Sequence, residues 1–238
     1  MLPAGRYQVN ETIDIDYAAA ADTGIELKSD GAILDGSSIP SARVLVIHCS
    51  GGTTASPKGC FYFHQTGTLF VYANTSGWAV DIGNEDFSDA QNSIKIDHLI
   101  VNNGGPWGVA LNYVVNADAF IVADAGPGGG AFHVGLGLTQ LQFSTIRGAA
   151  SATDGYAMWI GGGYTIANTI QGFDFEVAQW CLVNTSPSSA SNTFVSPYFN
   201  CLGGAYSDAG ADNVLLNPLF GGATQIPTSI AAGFKIMQ

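Results

Sequence analysis

Four carboxylates recur at similar offsets from a repeated asparagine. Asp97 stands five positions after Asn92, Asp124 eight after Asn116, and Asp174 and Glu176 six and eight after Asn168. On an extended strand, Asp174 and Glu176 flank Phe175 and share one face, roughly 7 Å apart. That separation is near the lower end for inverting glycosidases, in which one carboxylic acid protonates the leaving oxygen and a second carboxylate activates water. Asp124 and Glu176 share an offset two repeats apart, about 9.6 Å if repeats stack at strand spacing. Either pair suits inversion, so Asp174, Glu176 and Asp124 are the catalytic candidates. Arg147 falls in the repeat between them and is placed to hold a carboxylate or an acidic sugar.

A lyase would need a base beside a cation or metal. Here that means His98, next to Asp97, or a tyrosine, working with Arg147 or a bound Ca²⁺. Aromatic residues near strand ends offer sugar-stacking surfaces, Trp107 and Tyr156 foremost, with Trp78, Trp159 and Trp180 behind them. Each candidate also has a plainer role. Outward Asp and Glu keep a sheet soluble and blunt edge pairing, histidines on strands are commonly structural, and most of the tryptophans are expected in core or interface.

The elements that must position these residues are short strands. The phrase Asn-Thr/Ser-apolar heads Asn92-Ser93-Ile94, Asn168-Thr169-Ile170 and Asn192-Thr193-Phe194, with weaker copies at Asn116 and Asn213. The intervals of 24, 24 and 21 residues (92 to 116, 168 to 192, 192 to 213) are too short for helical repeats and match coils of a β-solenoid. Each unit carries runs of alternating residues, such as Ser93-Ile94-Lys95-Ile96, broken by Gly, Asn, Ser and Pro. One coil cannot bury its apolar side alone and must stack on the next. Phe173, Phe175 and Phe199 are expected in the stacked interior. No segment offers three turns of amphipathic helix; the best helical candidate is Tyr17 to Ala21.

Composition narrows the partners. Charged residues make up 11% of the 238, against roughly 25% in an ordinary soluble domain. Much of the outer surface is therefore expected to be covered in a homo-oligomer. The net charge of −12, with seven scattered Lys and Arg, argues against nucleic acid and anionic membrane surfaces. No run of 18 apolar residues suits membrane insertion, and no signal peptide is written at Met1. Four dispersed histidines lack zinc spacing, so no metal site is expected. Cys181 and Cys201 fall at unequal offsets from their asparagines, and with Cys49 and Cys60 they are expected as buried free thiols.

The opening Leu2-Pro3-Ala4-Gly5-Arg6-Tyr7-Gln8-Val9, followed by Ile25-Glu26-Leu27-Lys28-Ser29-Asp30-Gly31-Ala32-Ile33-Leu34-Asp35-Gly36, resembles the first two coils of the pectin-lyase-like superfamily of right-handed parallel β-helices. The resemblance covers about the first 36 residues, and the later repeats are compatible with it. It implies an all-β, right-handed, single-stranded parallel β-helix over residues 1–238, with a groove on one sheet matching an extended polysaccharide. The amphipathic helix that commonly precedes the opening phrase is missing here, which fits a piece of a larger protein or a capped subunit. In character the chain is closest to bacteriophage tailspike and tail-fibre depolymerases, which implies a virion-associated or extracellular homotrimer. The polygalacturonase-like motif set is absent: Asn168-Thr169 is followed by Ile170. A pectate-lyase-like Trp-Ile-Asp-His is echoed only by Lys95-Ile96-Asp97-His98. The expectation is thus a polysaccharide-engaging protein that hydrolyses glycosidic bonds in an acidic groove, with a non-catalytic adhesin or stalk, then a lyase, as alternatives. No cofactor is expected beyond Ca²⁺ in the lyase case.

Overall fold

The computed structural model describes residues 1–20, 22–39, 43–56, 58–83, 88–134, 141–161, 164–221 and 234–238. Among these the chain is a stack of parallel β-coils, as the repeats predict. Three sheets build the stack among the described residues: a long sheet of twelve strands, a second of eight and a short one of five, the last spanning only the coils from Lys58–Phe61 to Thr165–Ile166. A typical coil passes through Val114–Val115 in the short sheet, Asp118–Ala125 in the long sheet and Gly130–Val134 in the second. The helical candidate is reduced to a 3₁₀ turn, Ala18–Ala20; Ala21 lies outside the described residues.

Alternation makes the strands. Along Asp118–Ala125 every second residue, from Ala119 to Ala125, is buried, and the others face outward. Register then lines up like positions. Leu34, Val71, Val101, Ala123, Ala150, Phe175, Phe199 and Phe220 form one inward column of the long sheet. Its aromatic end stacks, with Phe175 and Phe199 5.2 Å apart and 8° from parallel. Phe173 joins them, 4.8 Å from Phe175, so the expected phenylalanine core is present.

The repeated asparagines have a specific task. Where the short sheet turns into the long one, each of seven successive coils carries a left-handed non-glycine residue: Tyr62, Ser93, Asn116, Phe143, Ala167, Ser191 and Asp212, with φ from 52° to 64°. The residue after it points inward, and in the later coils it is polar. Ser144 N–H donates to Asn168 Oδ1 (3.0 Å), Asn168 N–H to Asn192 Oδ1 (3.1 Å) and Asn192 N–H to Asn213 Oδ1 (3.0 Å). Side-chain amides bond along the same column, Asn168 Nδ2 to Asn192 Oδ1 at 2.8 Å and Asn192 Nδ2 to Asn213 Oδ1 at 2.9 Å. The turn pulls these N–H groups out of the sheet ladder, and the side chain of the next coil supplies the acceptor.

Two expectations are corrected here. Asn92 and Asn116 are not members of this ladder: Asn116 occupies the left-handed position itself, and Asn92 precedes the left-handed Ser93. Their coils place Ile94 and Ala117 inside instead. The cysteines are not free thiols but form Cys49–Cys60 and Cys181–Cys201, with Cα atoms 6.0 and 5.6 Å apart. Cys201 follows Tyr198–Asn200 of the long sheet, and Cys181 lies in Trp180–Asn184 of the second. A corner separates the two positions, so inward side chains at unequal offsets converge across it. Counting along the chain misses that convergence.

The ladder and the coil spacing are both testable. Asn192 is fully buried, and Asn192→Leu would strand Asn168 N–H and leave the Thr165 carbonyl, which now accepts Asn192 Nδ2 at 2.8 Å, with the Ala190 N–H alone. About 2–4 kcal/mol of stability should be lost in denaturant unfolding. Gly148 has φ +137°, and a Cβ there would sit 1.8 Å from the Ile121 carbonyl oxygen. Gly148→Ala should therefore destabilise by at least about 2 kcal/mol, whereas an equally small change at the open Gly128 should cost less.

Candidate active site

The carboxylates reach the surface because of a bulge. Between Thr145–Ala152 and Thr169–Glu176 of the long sheet the register shifts: Arg147 faces Gln171, but Ala149 faces Asp174. The extra residue falls at Gly172, whose φ of +56° suits glycine. Gln171 and Gly172 are both exposed, and alternation resumes one step out of phase. Phe173 and Phe175 therefore turn inward while Asp174 and Glu176 turn outward. Strict alternation from Ile170 would have reversed all four.

Register next builds the outward columns. Asn102, Asp124, Ser151, Glu176 and Asn200 stack in consecutive coils. Asp124 and Glu176 thus share a column two coils apart, as their offsets predict, about 9.6 Å at strand spacing. Ser151 Oγ between them donates to Asp124 Oδ1. An open groove of about 300 Å³ runs beside this column, lined by Asn102, Asp124, Ser151, Thr153 and Val177 among others. Asp174 occupies the neighbouring column, between Ala149 and Tyr198. Its Oδ1 is buried without a hydrogen-bond partner. Burial, and then the negative charge of Glu176, push its carboxyl above the ordinary aspartate value.

The second sheet begins immediately beyond. Trp107, Gly130, Tyr156, Trp180 and Gly204 form the first column of its strands. Only a tight corner separates that column from the acidic one: Asn102 leads to Trp107, Ser151 to Tyr156 and Glu176 to Trp180 within five residues or fewer. Trp180 lies over Gly204, where a Cβ would come within 2.2 Å of the indole, and the residue stays 36% exposed. The rings continue inward along the sheet. Trp78 meets Trp107 at 5.1 Å, His133 stacks on Trp159 at 4.1 Å, and Tyr156 approaches Trp159 at 5.7 Å. His133 is 2% exposed, neither ring nitrogen has a partner, and burial drives its pKa down to about 3, so it stays neutral.

Three sequence candidates lie elsewhere. Asp97, His98 and Arg147 sit four or five residues upstream of the acidic column on their strands, roughly 13 Å away. Burial acts to raise the Asp97 carboxyl, but the Gly67 N–H, His64 and Lys95 outweigh it and hold the carboxyl low. His98 Nδ1 is 3.3 Å from Thr68 Oγ1, and the ring meets Phe120 edge-on at 4.8 Å. Arg147 bonds to Asp118 and does not reach between Asp124 and Glu176, contrary to expectation. Counting coils put Arg147 in the right coil but ignored its position along the strand. Sequence reasoning passed over Ser151 and left Trp180 in the background; Gly172 and Gly204 were the available signals for the bulge and the flat ring.

No protein-family model matches the chain, and no curated protein matches it. Among solved structures the chain is similar to tailspike protein 3 of bacteriophage CBA120, at 15% identity and a TM-score of 0.34. The match takes in 98% of this chain and 55% of the tailspike chain, so the chain spans about half of that protein's length.

The raised Asp174 carboxyl makes a directional prediction. A proton bound in the folded state above the unfolded value of 3.8 contributes stability that is lost as pH rises through the folded value. Asp174→Asn should therefore melt higher than the parent at pH 7, and the difference should shrink to nothing below about pH 3.8. Equal melting temperatures at both pH values would mean that the carboxyl is solvated like any other.

Proposed function

We propose that this chain engages a polysaccharide along the edge between the long and second sheets and hydrolyses it there, as a homotrimer working on a virion or otherwise outside the cell. The observation that carries this reading is the pairing of Asp174, an unpartnered carboxyl with a raised proton affinity, with Glu176 two residues along the same outward face. Their separation along the strand, roughly 7 Å, leaves room for one water. Asp174 in its acid form gives its proton to the glycosidic oxygen. Water attacks the anomeric carbon from the opposite side and loses a proton to Glu176. One water is consumed, the glycosidic C–O bond breaks, and the proton on Glu176 returns to Asp174 through solvent. Asp124 is roughly 12 Å from Asp174 on the diagonal, too far to be its partner, and serves the sugar hydroxyls from the groove.

The exposed tryptophan and tyrosine rings beyond the corner supply stacking surface for pyranose faces. Both cysteine pairs being bridged fits an oxidising compartment. The trimer is supported by an outward apolar column on the long sheet, where Ile33, Phe70, Ile100 and Val122 follow one another in register and are only half-buried. With charged residues at 11%, a partner subunit is the natural cover for that column.

Asp174→Asn and Glu176→Gln should each lower release of reducing ends at least about 100-fold while leaving retention on the same glycan unchanged. Unaltered turnover in both variants removes this pair, and retention with no turnover in the parent identifies a binding module instead. Light scattering should return three times the chain mass of 24.7 kDa, with Phe70→Glu shifting it toward one; a parent mass of one chain contradicts the trimer.

A further inference from the structure

We infer that the polysaccharide recognised at this edge is uncharged, carrying neither uronate nor sulfate at the residues that occupy the groove. This rests on the polysaccharide reading above and narrows it to a substrate class.

The cations are accounted for one by one. Arg6 pairs with Asp35 (2.7 Å), Lys28 with Glu26 (3.1 Å), Arg43 with Asp81 (2.9 Å), Lys95 with Asp97 (3.3 Å) and Lys235 with Asp212 (2.8 Å). Arg147 pairs with Asp118, and Lys58 Nζ donates to the Ala18 carbonyl 3.2 Å away. Their positions matter more than the pairing. From Asn102 to Asn200, the stretch that supplies the acidic column and the Trp107, Tyr156 and Trp180 rings, Arg147 is the one Lys or Arg in the sequence. It lies at the opposite end of the long-sheet strands from the groove. The one histidine in that stretch is His133, buried and neutral above about pH 3.

Against this stand Asp124, Asp154, Asp174 and Glu176, Asp118 being taken up by Arg147 at the far end. An anionic polymer entering the groove would meet Asp124, with Glu176 two coils on in the same column, and no Lys or Arg of these coils beside it to neutralise its own charge. Repulsion between like charges at such separations disfavours it, more so where the wall is apolar. An uncharged polymer meets a complementary surface. The amides of Asn102 and Asn200 and the hydroxyls of Ser151 and Thr153 can exchange hydrogen bonds with sugar hydroxyls, and the indole of Trp180, lying over Gly204, offers a face to a ring. Arg6, over the Tyr72 ring one coil before Asn102, and Arg43, against Gly77, lie outside these coils and are paired with Asp35 and Asp81. The same absence of cations from the groove end of these coils sets lyase chemistry apart, because that reaction neutralises a uronate carboxylate before removing the adjacent proton.

The test compares one polymer in two charge states. A panel of uronate-bearing capsular polysaccharides, each in native form and after reduction of its carboxyl groups to alcohols, is immobilised beside neutral glucans, mannans and galactans. Retention of the full chain is measured at low salt, with and without 5 mM CaCl₂. The expected result is retention on neutral or carboxyl-reduced polymers at least tenfold above their native acidic counterparts. Trp180→Ala and Tyr156→Ala should each lower that retention about tenfold at a temperature well below the melting point of either variant, where circular dichroism matches the parent. Stronger retention on native acidic polymers, weakened by salt or dependent on calcium, overturns the inference while leaving the polysaccharide reading in place. Retention on no polymer in either charge state overturns both.

Discussion

Stacking in register is the constraint on which the rest of this molecule depends. A coil of some two dozen residues has an apolar side that it cannot bury alone, and it does so only by laying each strand on its equivalent in the next coil. The left-handed residue at the entry to the long sheet removes an N–H from the ladder once per coil. The side-chain oxygens of Ser144, Asn168, Asn192 and Asn213 replace the lost acceptors, each taking a backbone N–H of the preceding coil, and all four residues are fully or nearly fully buried. A slip of one residue would break these bonds and turn each adjoining column inside out, so the ladder fixes register as well as adding stability.

Once register is fixed, the surface follows as a set of columns. The phenylalanine column fills the interior behind the outward carboxylates. The bulge at Gly172 then decides which residues of that strand the outside sees. Burial without a partner at Asp174 Oδ1 is a local cost that the stacked coils absorb, in the manner of functional sites that hold a group against its preferred state. The tight corner brings this acidic column beside the aromatic one, although the two belong to different sheets.

Much of this was legible in the sequence, for physical reasons that also explain the failures. The asparagine period, the alternating strands and the phenylalanine stack are each repeated coil after coil, and repetition is visible without coordinates. The shared column of Asp124 and Glu176 matched the offsets because two differences cancel: Asn116 stands one residue before the equivalent of Asn168, and the bulge at Gly172 adds one residue before Glu176. Asn92 and Asn116 misled because they stand two residues and one residue before the ladder position, which Ile94 and Ala117 occupy in their coils. The disulfides were missed because Cys181 and Cys201 meet across a corner, where contact depends on angle and not on offset. Arg147 was misplaced for a related reason, its coil being evident but its place along the strand not. The flat indole over Gly204 left only a glycine as its trace.

The position of a bound glycan on this edge is the decisive observation. A crystal structure of the Glu176→Gln protein with an oligosaccharide of its preferred polymer provides it directly. Sugar rings are expected along the edge between the long and second sheets, with a pyranose face on Trp180 or Tyr156 and a glycosidic oxygen within hydrogen-bonding distance of Asp174. Density for the sugar on the Asp97, His98 and Arg147 side of the long sheet, or across its apolar column, would contradict that placement.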